Sequence, residues 1–111
     1  MKNDRLYLVH ILECIEHIRS YTCDGRNVFL TDAKTRDAVL RNLHTLTESA
    51  QRLSKELQTK YPQVPWKNIQ AFRNVVVHDY LGIDVNLIWD IIEKDLPELK
   101  PLIKKMLKEL E

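Results

Sequence analysis

The octapeptide RNVVVHDY, Arg73 to Tyr80, sets four kinds of polar chemistry around three valines. Arginine offers a permanently charged fork that suits phosphate oxygens, histidine titrates near neutrality and can move protons, and a tyrosine hydroxyl can donate or accept. On a helix turning ~100° per residue, Asn74 and His78 fall one turn apart on one stripe, while Arg73, Val77 and Tyr80 line its neighbour. Asn74 is thereby placed to orient the imidazole. Arg73 and His78 lie roughly 140° apart around a continuous helix, so meeting at one phosphate requires helix unwinding near Gly82 or a second copy of the chain. Spacing alone also fits an ordinary amphipathic helix whose Arg and His face solvent.

A second cluster, His10, Glu13, Cys14 and His17, shares a face of the first expected helix. Imidazole, carboxylate and thiolate at these spacings could hold Zn²⁺. Leu6 and Tyr21 extend the same face, which favours a packed or partner-facing surface over a metal site. Glu48 falls opposite the apolar stripe of the second helix, on one stripe with Arg41, where a solvated ion pair is the ordinary outcome. Trp66 and Trp89 stand near helix starts or within apolar stretches, where packing is the default.

The elements that must position these groups read as helices. Leu8, Ile11, Leu12, Ile15 and Ile18 recur at three- and four-residue spacing behind a possible Asn3 cap, predicting a helix from about residue 4 to 20. Gly25, among Thr22, Asp24 and Asn27, marks the loop that follows. Val39, Leu43, Leu46, Ala50, Leu53 and Leu57 step alternately by four and three, predicting one long second helix capped by Thr31 or Asp32. Tyr61 to Pro65 must break the chain, yet Pro65 suits the first turn of a third helix with Ile69, Phe72 and Val76 on its apolar face, ended by Gly82. Asp84 can cap a fourth helix bearing Leu87, Ile88, Ile91 and Ile92. Asp95 and Glu98 have the spacing of a capping box before a last helical segment, whose start Pro101 blurs. Four or five helices on short loops predict an all-α antiparallel bundle.

Composition agrees. At 111 residues, with two glycines and few β-branched runs, one helical domain over residues 1–111 is expected, and large nucleotide-binding folds need more chain. Seventeen basic against sixteen acidic residues leave a net charge of +1, so any nucleic-acid contact must come from a local patch. Two cysteines, Cys14 and Cys23, are too few for a disulfide scaffold and fit a reducing cytoplasm. The opening stretch resembles a signal peptide only superficially, because His10 and Glu13 interrupt it, and no segment has the uninterrupted apolar length that spans a bilayer.

With RNVVVHDY in place, the chain resembles the HEPN superfamily, and more closely its HepT-like branch, toxins encoded beside minimal nucleotidyltransferase antitoxins. The similarity covers nearly the whole chain. It includes Phe29 to Asp32, AVLRNL at Ala38 to Leu43, Glu48 and Ala50, VPW at Val64 to Trp66, and DLPEL at Asp95 to Leu99. It implies a helical bundle that forms a homodimer with both motifs at a shared cleft. It implies RNA cleavage without metal or other cofactor, with Arg73 steadying phosphate, His78 in acid–base work and Asn74 as the polar residue after the arginine. Where the family pattern has glycine before the long helix's glutamate this chain has Thr47, so Glu48 is carried over as a supporting residue. The resemblance makes Tyr80 the residue to which the partner nucleotidyltransferase transfers adenylyl groups from ATP. The alternative, in another class, is a catalytically silent helical dimer that binds a nucleotidyltransferase or nucleotide.

Overall fold

The computed structural model describes residues 3–77 and 84–110; positions 1–2, 78–83 and 111 lie outside the described residues. In chain order the helices are α1 (Asp4–Tyr21), α2 (Arg26–Thr31), α3 (Ala33–Gln51), α4 (Lys55–Lys60), α5 (Trp66–Val77), α6 (Val85–Asp90) and α7 (Leu96–Leu110). Among the described residues there is no strand, and the all-α expectation holds.

Most of the apolar positions that predicted the helices form the core, but Leu87, expected on the inner face of the fourth helix, is exposed. Leu8, Ile11, Ile15 and Ile18 of α1 meet Val39, Leu43 and Leu46 of α3 and Ile103 and Met106 of α7, all buried. Glu16 of α1 and Lys100 of α7 reinforce one seam with an ion pair at 2.6 Å, and that hydrogen bond holds the Glu16 carboxyl below its usual range. Asp32 caps α3, accepting from the Lys34 N–H, and its bond from the Thr35 hydroxyl at 2.7 Å keeps its carboxyl low. Asn3 stands at the N-cap position of α1, but its side chain accepts no capping bond.

Three boundaries differ from the sequence reading. The loop expected after Gly25 contains a short helix, α2, because Phe29 drives it inward to pack on Trp89 with ring centroids 5.5 Å apart. The single long second helix is two. α3 stops at Gln51, and Leu53 and Leu57 are buried from a turn and from α4. The break is made by Ser54. Its backbone N–H and hydroxyl donate to the two carboxylate oxygens of Asp4 at 2.8 and 2.7 Å, while its Oγ accepts from the Leu57 N–H to cap α4.

The fourth and fifth helices are continuous. Ile91–Asp95 forms a π turn in which the Leu96 N–H reaches the Ile91 carbonyl, so no capping box operates at Asp95. Pro97 explains the wide turn: its missing N–H and its ring disfavour an ordinary α turn ahead of it. Burial and the neighbouring Glu98 push the Asp95 carboxyl upward. Pro101 sits within α7 on its exposed side.

The Asp4–Ser54 contact is testable because Asp4 is only 3% exposed. Truncating Asp4 to alanine removes the acceptor of the partly buried Ser54 N–H and hydroxyl, at a cost of about 2 kcal/mol. Ser54→Ala loses a cap, at about 1 kcal/mol. In urea unfolding, the double variant should lose less than the sum of the two singles; strict additivity would show that the groups do not act together.

Candidate active site

Arg73 stands near the end of α5, the third long helix, whose Ile69 and Phe72 are buried against α3. The two helices run antiparallel, and their register sets Glu48 across from Arg73. The Arg73 Nη2 lies 4.0 Å from Glu48 Oε1, with the arginine side chain 42% exposed. At that distance and exposure the pair contributes little to stability. Its effect is orientation, aiming the guanidinium across the α3–α5 seam.

A third residue joins them. His44 Nε2 is 3.7 Å from the same Glu48 Oε1, so the carboxylate stands between an imidazole and a guanidinium. Sequence reading paired Glu48 with Arg41 and missed His44. The available signal was the four-residue spacing of His44 and Glu48, which puts them one helical turn apart. Thr47, beside Glu48, is 3% exposed and donates its hydroxyl to the His44 carbonyl at 2.8 Å. It therefore turns inward and leaves the outer face to Glu48.

Asn74 is exposed on the described part of α5. His78 and Tyr80, and Gly82 as the expected end of this helix, lie outside the described residues. Of the motif, the geometry thus places Arg73 and Asn74.

The cluster on α1 does not converge. Cys14 is 5% exposed and belongs to the core, where burial pushes its thiol up to about 11. His17 shares a hydrogen bond of 3.0 Å with Asn42 and stacks on Tyr21, and His10 lies edge-on to Tyr7. Among the described residues no group of three or more His, Cys, Asp or Glu side chains is placed to hold a metal ion. No helix among them is long and apolar enough to cross a membrane.

An all-α bundle with Arg73 near the end of its third long helix, facing Glu48 on α3, defines the class of domain. Residues 11–106 match the Ribonuclease HepT-like family, and the chain belongs to it. It is similar over 99% of its length, at 38% identity, to a Methanocaldococcus jannaschii protein named as a gamma-glutamylcyclotransferase and, provisionally, an RNase; it spans half the length of that relative. A Caldanaerobacter subterraneus subsp. tengcongensis protein, also provisionally named an RNase, is 36% identical over 96% of both chains. A Thermococcus cleftensis protein named "Probable ribonuclease HepT" is 33% identical over 92% of this chain and 94% of its own. No solved structure matches the chain.

The two cysteines should differ in reactivity. Cys14 is buried and Cys23 exposed, and neither is in a disulfide. Because thiolate is the reactive form, iodoacetamide at neutral pH should label Cys23 and spare Cys14 until denaturant is added. Mass spectrometry of the native protein checks this; fast labelling of Cys14 would contradict its place in the core. Its raised pKa also has a sign. The resulting stability is full below the ordinary thiol value of 9.0 and is lost as pH rises towards about 11.

Proposed function

We propose that the chain is a metal-independent endoribonuclease, the toxin of a two-gene toxin–antitoxin module, acting in the cytoplasm as a homodimer. The observation that carries this is Arg73, held half-exposed toward Glu48 at the start of the Arg73–Tyr80 motif in a chain of the HepT-like family. RNA brings its own nucleophile. The ribose 2′-hydroxyl attacks phosphorus, the bond to the 5′-oxygen breaks, and a 2′,3′-cyclic phosphate and a free 5′-hydroxyl result. The protein need only move protons and stabilise charge on the phosphoryl oxygens, which suits one histidine and one arginine. His78 moves the protons, Arg73 neutralises the phosphate, Asn74 orients the imidazole, and Glu48 steadies Arg73.

The dimer supplies what one helix does not, since Arg73 and His78 diverge around a regular helix and two motifs at a two-fold axis can converge. Leu6, Tyr21 and Leu87, all exposed, leave apolar surface for such a contact. His78→Ala and Arg73→Ala should each slow cleavage of single-stranded RNA on the order of 10²-fold or more. Glu48→Gln should cost less. Light scattering should return twice the chain mass of 13.2 kDa. Unchanged cleavage in either alanine variant, abolition by a chelator, or a monomer at high micromolar concentration would count against the reading.

Silencing follows from the same motif. A cognate minimal nucleotidyltransferase would join the Tyr80 oxygen to the α-phosphorus of ATP, releasing pyrophosphate. The added nucleotide puts bulk and negative charge where the RNA phosphate must sit, and Arg73 is close enough in sequence to capture it. Co-expression with the neighbouring nucleotidyltransferase should yield an adenylyl mass increment on Tyr80, and Tyr80→Phe should cut RNA yet escape neutralisation. An unmodified Tyr80 in a fully neutralised complex would sink this part of the proposal.

A further inference from the structure

The antiparallel register that sets Glu48 opposite Arg73 continues along both helices away from the motif. One turn on, Gln51 of α3 faces Gln70 of α5, and beyond them Lys55 at the start of α4 faces Lys67. These four, with Gln58 and Trp66, line an open groove of about 330 Å³, the low end of the range for ligand pockets. Among the described residues no carboxylate lines it and neither lysine has an acidic partner. Trp66 forms a rigid wall, because its indole N–H is shared between the Gln58 and Tyr61 carbonyls at 3.1 and 3.0 Å.

The charge is local. Residues 48–77 contain five basic side chains (Arg52, Lys55, Lys60, Lys67 and Arg73) and two acidic ones (Glu48 and Glu56), in a chain whose total is +1. Lysines supply point charges for backbone phosphates, uncharged amides can bond base edges or ribose hydroxyls, and an indole face accepts a base. From Arg73 to Lys67 is about 9 Å along the helix axis, the reach of a nucleotide or two of extended strand.

We infer that the groove between α3, α4 and α5 is a binding subsite for the single-stranded RNA flanking the scissile phosphate, with Lys55 and Lys67 holding its backbone and Gln51 and Gln70 its bases or riboses. This rests on the ribonuclease reading for the identity of its occupant, but not for its test. The subsite lies outside the Arg73–Tyr80 motif, so it governs how firmly a strand is held and in which direction it runs. The reacting groups are untouched by it.

Binding can be measured without cleavage, by fluorescence anisotropy of a labelled single-stranded RNA 12-mer bearing 2′-O-methyl groups, which lacks the nucleophile. The Lys55→Ala/Lys67→Ala double variant should bind on the order of tenfold more weakly, with a salt dependence flattened by about 1.4 in log–log slope for two lost phosphate contacts. Lys55→Arg/Lys67→Arg should restore binding. Lys104→Ala/Lys105→Ala, exposed on α7, should leave it unchanged. On cleavable RNA the first variant should raise KM with kcat held, and on a dinucleotide it should cut as the parent does. Unaltered RNA affinity in the Lys55/Lys67 variant overturns the inference, as does an equal loss in the α7 control or a variant that loses only its partner protein. A wild type that binds the 12-mer through these lysines but never cuts RNA would refute the nuclease reading and leave the subsite standing.

Discussion

A carboxylate at the start of α1, Asp4, grips the backbone and hydroxyl of Ser54, fifty residues further on, and the path of the chain beyond that point follows from the grip. Without it the apolar pattern from Val39 to Leu57 permits one uninterrupted helix. With it α3 ends, α4 turns aside, and Val64 and Pro65 bring Trp66 back to begin α5 against α3. The register of those two helices is what faces Glu48 with Arg73 and Gln51 with Gln70. A buried acid far from any chemistry therefore decides which side chains share the functional face. Burying a carboxylate is favourable only when its lone pairs are met, and here one serine meets both oxygens.

How far the sequence could be read depended on whether local or distant groups decided each feature. The stripes of α1 and α5 were legible because a repeating three- and four-residue spacing is a property of the segment itself, and Asp32 and Asp84 were legible as caps for the same reason. The break at Ser54 was not, because its cause lies fifty residues away. Phe29 gave no periodic signal from six residues, so α2 read as loop. His44 escaped notice because a lone histidine on a polar face acquires meaning only once Glu48 is seen turning toward Arg73. The Zn²⁺ possibility on α1 failed in the opposite way. His10, Glu13, Cys14 and His17 satisfy the spacing of a ligand set, but Cys14 lies far enough round the helix to enter the core.

Weak interactions at the site and strong ones beneath it divide the work. Ile69 and Phe72 fix α5 by burial, so Arg73 is carried to its place by packing that owes nothing to charge. The Arg73–Glu48 contact at 4.0 Å then biases a side chain free enough to turn to another anion. A tighter, buried pair would cost more to open and would compete with phosphate. The near-neutral total charge likewise conceals a local excess, since acidic residues elsewhere in the chain offset Lys55 and Lys67 at the groove.

The π turn at Ile91–Asp95 carries a different kind of consequence. The buried positions Ile88, Ile91, Leu96, Leu99, Ile103 and Met106 step by three, five, three, four and three, and the five is the residue the wide turn absorbs. Remove one residue there and the steps become three, four, three, four and three, the rhythm of a regular helix presenting the same face. The inward face is thus kept across the extra residue by the wide turn, and Pro97 favours that turn over the tighter winding.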